Sequence, residues 1–155
     1  MTVETPRITD TVERSREWLA ENRHEGVECP SCEQFVKVYR RKINSAMART
    51  LITMYNAGGT EEFVHTPSLP GDTHEASQLS WWGFIEEERI LREDGGRAGH
   101  WRVTPTGEQW LLGRTQAAKY ALVYNSKLLG LDDEESVTII DSLGTKFNYS
   151  ELIAS

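Results

Sequence analysis

Apolar side chains recur at helical spacing through the longest stretch of the chain that lacks glycine and proline. The apolar positions are Phe35, Tyr39, Ile43, Met47, Leu51 and Met54. A repeat of this kind is typical of a helix that buries one face. Ser31 and Gln34 have capping-box spacing before the stretch, and Gly58 and Gly59 follow it. The pattern therefore predicts one helix of about six turns over Glu33–Asn56.

Shorter patterns predict elements on both sides of that helix. Asp10 and Glu13 have capping-box spacing, which predicts a helix that ends near Asn22. Residues 60–66 are expected to be extended, because prolines at 67 and 70 exclude a regular helix there. Another short helix is expected from Asp72 to about residue 82, where Gly83 ends it.

A glycine-rich turn separates two segments that have the pattern of hairpin arms. The arms are Phe84–Glu93 and His100–Val103, and Asp94–Gly96 forms the predicted turn. Thr104 then caps a short helix, which has Pro105 at its first position and ends at a glycine at 113.

The C-terminal part alternates short apolar segments with turns. Alternation over Tyr120–Tyr124 predicts a strand, and the Asn-Ser dipeptide after it predicts a turn. The acidic run Asp132–Glu135 is expected to be a solvated loop. Val137–Ile140 fits either a strand or a buried helical turn, and Asn148 and Glu151 predict a last short helix.

Charge is distributed unevenly along the chain, whose net charge is −7. Five basic and no acidic residues lie between 35 and 57, whereas four acidic and no basic residues lie between 58 and 85. An acidic chain opposes DNA binding by bulk electrostatics, but a basic island still offers contacts to phosphates. The candidate nucleic-acid-binding residues of the long helix and the hairpin are Lys37, Arg40, Arg41, Lys42, Arg89, Arg92, Arg97 and Arg102. The alternative is that these side chains are solvated or pair with nearby glutamates.

A Cys-x2-Cys motif, from Cys29 to Cys32, lies directly before the predicted long helix. Two thiolates on a tight turn span one edge of a tetrahedral zinc site, which needs two further ligands. The motif also resembles the glutaredoxin dithiol at a helix N-terminus, although no strand precedes it here. The third interpretation is an ordinary turn with two cysteines, and the sequence leaves all three open.

Trp81 and Trp82 are adjacent at the end of a predicted helix without basic residues. One face of a short helix does not bury two neighbouring indole rings, so these residues are candidate partner-binding anchors. The alternative is that both rings lie in a core beneath the hairpin. The sequence has no glycine-rich phosphate loop and no paired catalytic signature, so we expect no catalytic residues and a non-enzymatic role.

The segments "WWGFIEEE" and "WRVTPTGEQWLL" resemble parts of the winged-helix domain of MarR-like regulators. In that family the recognition helix runs into a Gly-Leu-Ile-type strand, and the wing returns into a Leu-Thr-x-x-Gly helix. The resemblance covers about residues 45–113 and implies a winged-helix core that binds DNA. The chain departs from the family at "EEFVHTPSLPG", where two prolines occupy the place of a helix.

A second similarity, over about residues 29–153, is to an uncharacterised family of small bacteriophage-encoded proteins. The matching segments are "CPSCEQFVKVYRRKINSAMARTLI", "FVHTP", "LSWWGFIEE", "GHWRVTPTGEQWL", "KYALVYNS" and "LGTKFNYSELI". The similarity implies a bacteriophage origin and no particular chemistry. Its "FVHTP" segment makes His65 the preferred zinc ligand beside Cys29 and Cys32, with the fourth ligand left open among the other histidines.

These patterns predict an α+β fold with three regions. They are an N-terminal helix and loop (1–28), a Cys-x2-Cys turn with a winged-helix-like core (29–114) and a small C-terminal β/α appendage (115–155). The expected function is a non-enzymatic phage-type regulator that binds nucleic acid, with Zn²⁺ as a candidate cofactor. The alternative is a protein-binding module that inhibits or redirects a host or phage machine. Without a long apolar run or an apolar signal region, a cytoplasmic location is expected.

Overall fold

The computed structural model describes residues 5–70, 75–88 and 99–154. These residues form helices and three small sheets, so the predicted α+β class is confirmed. The helices are α1 (Val12–Asn22), α2 (Ser45–Asn56), α3 (Pro105–Leu111), α4 (Ile139–Leu143), α5 (Tyr149–Ile153) and two 3₁₀ helices (Thr66–Ser68 and Ala76–Trp82). The strands are β1 (Val27–Glu28), β2 (Phe35–Val36), β3 (Tyr39–Lys42), β4 (Val64–His65), β5 (Ile85–Glu87), β6 (His100–Val103), β7 (Ala117–Tyr124) and β8 (Lys127–Val137). None of the described helices is both long and apolar enough to cross a bilayer.

The described residues divide into two compact units. The first unit contains the chain up to Arg41 and the segment Leu122–Gly130. The second unit contains Lys42–Ala121 and the chain from Leu131 onward. The predicted regions 1–28, 29–114 and 115–155 follow a different division.

Helix α1 and the β1–β2 hairpin belong to the first unit. Thr11 caps α1 by accepting a hydrogen bond from the Arg14 amide, and the helix ends at Asn22 as predicted. Asp10 does not cap the helix, because its carboxylate instead accepts the amide of Arg7 at 2.7 Å. Strands β1 and β2 pair in antiparallel register and flank the cysteine turn.

The predicted helix over Glu33–Asn56 is wrong in its first half, where strands β2 and β3 lie instead. Helix α2 begins only at Ser45, after an N-cap at Asn44. The Asn44 side-chain oxygen accepts a hydrogen bond from the Met47 amide at 2.9 Å. This bond satisfies an amide that has no partner within the helix, and therefore fixes the start of the helix at this point. Ser31 accordingly lies in the cysteine turn and caps no helix.

Helix α2 is the core of the second unit. Its buried apolar side chains are Met47, Ala48, Leu51, Ile52 and Met54. Helices α3, α4 and α5 pack against α2. Gly107 allows α3 to approach the main chain before β5, since a Cβ atom there would lie 2.2 Å from the carbonyl oxygen of Phe84. A larger residue at this position therefore requires the backbone to move.

A second sheet, in the second unit, has the strand order β4-β6-β5. Strands β5 and β6 are antiparallel, with Ile85 opposite Val103, so both predicted hairpin arms are confirmed where they are described. The predicted turn at Asp94–Gly96 lies outside the described residues. Gly83 ends the preceding 3₁₀ helix at φ 74°, a left-handed conformation that glycine adopts without strain.

The third sheet has the strand order β3-β7-β8. Asn125 and Ser126 connect β7 to β8 at positive φ, which confirms the predicted strand and turn. The acidic run Asp132–Glu135 lies within β8, so its prediction as a loop is wrong. Strand β8 is at the edge of the sheet, where charged side chains remain in water and disfavour pairing with another strand.

The C-terminal helices α4 and α5 pack against α2. The small C-terminal β/α appendage over 115–155 stays a prediction. Ile139 and Leu143 of α4 are fully buried. The Trp110 indole of α3 donates to the Val137 carbonyl at 3.0 Å, and the hydroxyl of Tyr149 donates to a carbonyl of α3 at 2.9 Å. Asn148 caps α5 as predicted.

Candidate nucleic-acid interface

Residues 37–42, here called the basic strand, form an exposed extended segment that includes β3. The side chains of Lys37, Tyr39, Arg40, Arg41 and Lys42 are all exposed. Val38 is the buried exception, with 5% of its surface exposed. Its amide donates to the carbonyl of Arg23 at 2.7 Å. The buried valine holds the segment in place while the charged side chains remain in water.

Two cations contact the ring of Tyr39, which is 47% exposed. The Lys37 Nζ lies 5.9 Å and the Arg41 Cζ lies 5.4 Å from the ring centroid. All three residues lie on one face, because side chains two positions apart in an extended chain point to the same side. Within the described parts of the chain, no carboxylate forms an ion pair with Lys37 or Arg41. Both charges are therefore available to an anion.

An exposed aromatic ring between cations has the chemistry of a stacking platform for single-stranded nucleic acid. A base that stacks on such a ring contributes about 1–3 kcal/mol to binding, whatever its identity. Neighbouring lysine and arginine side chains neutralise the phosphates on either side of the base. The basic strand combines a stacking ring and neighbouring cations within one stretch of chain.

Of the predicted hairpin arginines, only Arg102 lies among the described residues, while Arg89, Arg92 and Arg97 lie outside them. The Arg102 side chain is bonded to Glu86 across the β5–β6 pair, with Nε 2.8 Å from Oε1. The guanidinium also lies 4.7 Å from the ring centroid of Phe63. Arg102 therefore fits the alternative interpretation, in which the basic side chains pair with nearby glutamates.

Trp82 is a core residue, which corrects its prediction as a partner-binding anchor. It is only 6% exposed, and its indole N–H donates to the carbonyl of Ala118 at 2.7 Å. Both the apolar ring and its polar atom are thus satisfied inside the second unit. Trp81 is half-buried, and its ring centroid lies 6.3 Å from that of Trp82.

The cysteine motif forms the turn between β1 and β2. The Cys29 amide donates to the Gln34 carbonyl at 2.7 Å, and the Glu33 amide donates to the Cys29 carbonyl at 2.9 Å. Glu33 has φ 65°, the left-handed conformation that closes the turn. The two cysteines approach each other to 3.4 Å, and Cys32 is exposed whereas Cys29 is half-buried.

Hydrogen bonds within the turn stabilise the thiolate of Cys29. The backbone N–H of Cys32, followed by that of Ser31 and by the Cys32 thiol, holds the pKa of the Cys29 thiol below its ordinary value. The thiolate is the form that binds metal ions and attacks electrophiles. The metal, redox and ordinary-turn interpretations of the motif all stay predictions.

His65, the predicted third zinc ligand, belongs to the second unit, whereas both cysteines belong to the first. Its ring centroid lies 4.7 Å from that of His100, and its Nδ1 shares a hydrogen bond with the Ser68 hydroxyl. Among the residues that the structure describes, no group of three or more His, Cys, Asp or Glu side chains is arranged to hold a metal ion. Zinc binding that includes His65 stays a prediction.

Tyr39 is the candidate functional residue that the helical pattern conceals. That pattern places it on a buried stripe with Met47 and Leu51, whereas the structure exposes it. A strand signal is present in the same letters, because Val36 and Val38 alternate with charged and aromatic neighbours. Reading this segment with a period of two would have placed Tyr39 on the outer face.

No family model, curated protein or solved structure matches this chain. Function is therefore inferred from the geometry of the basic strand and of the cysteine turn. The resemblances to winged-helix regulators and to bacteriophage proteins stay predictions.

Proposed function

We propose that the chain is a non-enzymatic regulatory protein that binds single-stranded nucleic acid through the basic strand. Tyr39 stacks on a base, and the cations beside it, above all Lys37 and Arg41, neutralise the adjoining phosphates. The observation that carries the proposal is the exposed Tyr39 ring in contact with two cations that have no ion pair among the described residues. The regulatory role and the bacteriophage origin rest on the sequence resemblances alone.

The net charge of −7 still allows an anion to bind at the exposed cations of the basic strand. At physiological ionic strength the Debye length is about 8 Å, so acidic groups farther away are largely screened. Cations in direct contact with a phosphate are not screened in this way. The interaction is therefore expected to weaken steeply with salt and to show little sequence preference.

A single strand fits the platform better than a duplex does. In a duplex the bases already stack on each other, and inserting a side chain between them costs about a few kcal/mol per step. In a single strand the face of a base is free to stack on Tyr39 at little cost.

The proposal retains a winged-helix-like core for the second unit. Its support is the element order α2, β4, two 3₁₀ helices, β5, β6 and α3, which follows the order of a winged helix. The 3₁₀ helix Ala76–Trp82 occupies the place of a recognition helix, but it has no basic residue and buries Leu79 and Trp82. We therefore assign nucleic-acid contact to the basic strand and not to this helix.

Fluorescence anisotropy with a labelled oligothymidylate at low salt tests the proposal. Wild-type protein should bind, and Tyr39→Ala should lower affinity about 5- to 150-fold, which corresponds to the loss of one stacked base at about 1–3 kcal/mol. Tyr39→Phe keeps the ring and should bind almost as the wild type does. Ile140→Ala is the control, because Ile140 is also an exposed large apolar residue but belongs to the second unit.

Two results would contradict the proposal. One is no binding of wild-type protein to any single strand or duplex at low salt. The other is equal affinity of the wild type and Tyr39→Ala, which would show that the ring makes no contact.

Protein binding through Trp81 is the second candidate function. The observation that favours it is that Trp81 stays half-buried beside its fully packed neighbour, on a helix that has no cation to attract nucleic acid. If the ring is a hot spot, Trp81→Ala should cost about 2 kcal/mol or more of partner affinity. The variant should keep its thermal stability, and a large loss of stability would show that the ring is a core residue.

A further inference from the structure

The cysteine turn carries chemistry that nucleic-acid binding does not use. Cys29 and Cys32 lie 3.4 Å apart in the turn between β1 and β2, and Cys32 is exposed. A structural zinc ion takes four ligands, of which this pair supplies two. The described part of the chain offers no third ligand beside them. A second cysteine pair would supply the other two ligands.

We propose that two copies of the chain share one Zn²⁺ ion, which is bound by Cys29 and Cys32 of each copy. The site is then a closed tetrathiolate of the kind that structural zinc prefers. Because the same pair is used twice, the contact is two-fold symmetric and self-complementary. The proposal does not rest on nucleic-acid binding, although Lys37 and Tyr39 line the same cavity as the two cysteines.

The turn has the geometry that a zinc ion requires of two of its ligands. With Zn–S bonds of about 2.3 Å, two thiolates of a tetrahedron lie about 3.8 Å apart. The two cysteines lie 3.4 Å apart, so both are within reach of one ion. The backbone N–H groups that point at the sulfur of Cys29 remain as outer hydrogen bonds, which orient and stabilise a metal-bound thiolate.

The open side of the pair faces solvent beside an exposed aromatic ring. Cys32 is exposed, and Phe35 has 63% of its surface exposed where its ring covers Gly26. Next to the cysteines is a cavity of about 360 Å³, which Leu19, Val36 and other residues of the first unit line. An exposed apolar ring at the rim of a cavity is a typical contact for a second protein surface.

The apolar contact alone is too small to hold two chains together. One aromatic side chain buries about 150–250 Å², whereas a stable interface needs about 1,000 Å² or more. Glu28 and Glu33, which adjoin the cysteines in the sequence, are also exposed, and their like charges disfavour contact with a second copy. Association of the two chains is therefore expected to require the metal.

Binding of the ion releases protons. Each cysteine that enters the site as a neutral thiol loses its proton to solvent, and each sulfur then donates an electron pair to Zn²⁺. Zinc affinity and dimer formation should both fall as the pH is lowered.

Zinc content and molecular mass, measured together, test the proposal. Untagged full-length protein is kept reduced, loaded with Zn²⁺, passed over a size-exclusion column and analysed for metal and for mass by light scattering. The expected result is half an equivalent of zinc per chain and the mass of two chains. Chelation should return the protein to the mass of one chain, and added zinc should restore the dimer.

Variants locate the site within the turn. Cys29→Ser and Cys32→Ser should each abolish both zinc binding and dimer formation. Ser31→Ala, between the two cysteines, is the matched control and should retain both, because its backbone N–H is unchanged. Substitution with Co²⁺ gives a readout that does not depend on mass, since thiolate-to-cobalt absorption grows with the number of thiolates bound.

Several outcomes would overturn the proposal. One zinc per chain in a monomer would mean that a single chain supplies all ligands, as in the predicted set with His65. A metal-free monomer after zinc loading would show that the reduced pair is not a metal site. A dimer that survives chelation, or that persists in Cys32→Ser, would show that the chains associate without the shared ion.

Discussion

The basic strand and helix α2 are consecutive in the chain and belong to one predicted helix, yet they are buried to opposite extents. Tyr39 is 47% exposed in the basic strand, whereas Leu51 in α2 is fully buried. Asn44 separates the two by capping α2. An apolar repeat thus shows where large side chains lie along the chain, but not that they share one face of one element. The exposed half is available for binding and the buried half for stability.

The largest effect is expected when one side chain in the basic strand and one in α2 are each replaced by alanine. Leu51→Ala should lower the free energy of unfolding by about 2–5 kcal/mol, because it leaves a cavity in a packed core. Tyr39→Ala should change it by less than about 0.5 kcal/mol, as is usual at the surface. Denaturant unfolding measures both. Similar large losses in the two variants would restore the single buried stripe of the helical prediction.

A smaller effect is expected at the boundary between the two halves. Asn44→Ala removes the side chain that accepts the Met47 amide and should cost about 1 kcal/mol of stability. Ser31→Ala is the control, since Ser31 is the capping residue only if the helix starts before residue 35. Chemical denaturation of both variants decides where the helix begins. A larger loss for Ser31→Ala would contradict the boundary at Asn44.

Local rules predicted much of the fold, and long-range pairing explains most of what they missed. The end of α1, the caps at Thr104 and Asn148 and the hairpin arms follow from residues close together in sequence. Strand β3 instead depends on β7, its neighbour in the sheet, far along the chain. The Ile43 amide, directly after β3, donates to the Lys119 carbonyl at 3.0 Å. Such pairing overrides a helical apolar pattern, and one sequence does not reveal it.

The candidate sites divide in the same way. The basic residues of the strand and the cysteine pair were predictable, because charge and Cys-x2-Cys spacing are visible in the letters. The role of Tyr39 was not predictable from the sequence, because it depends on whether the segment is a helix or a strand. The placement of Trp82 depended on a hydrogen bond to the Ala118 carbonyl, which no local pattern encodes.

The smallest predicted effect is on stability in acid. It concerns helix α4, which packs against α2. Hydrogen bonds from the backbone N–H of Thr138, and then from its hydroxyl, hold the pKa of Asp141 below its ordinary value. A carboxyl group with a lowered folded-state pKa stabilises the fold above its unfolded pKa of about 3.9, and this contribution is lost as pH falls through the folded value. Between about pH 6 and pH 3, the melting temperature of the wild type should therefore fall slightly more than that of Asp141→Asn. Equal falls would mean that the carboxylate contributes nothing to α4.

The salt dependence of oligothymidylate binding tests the central claim, that the basic strand contacts phosphates, most directly. Replacing Lys37 and Arg41 together by glutamine should flatten the plot of log affinity against log salt by about 1.4, since each lost contact to a single strand removes about 0.7. The matched control replaces Lys146 and Arg114, an exposed lysine and arginine elsewhere in the chain, and changes the net charge equally. The control should keep the wild-type slope. Equal slopes for all three proteins, or the same flattening in the control, would show that the basic strand is not the nucleic-acid interface.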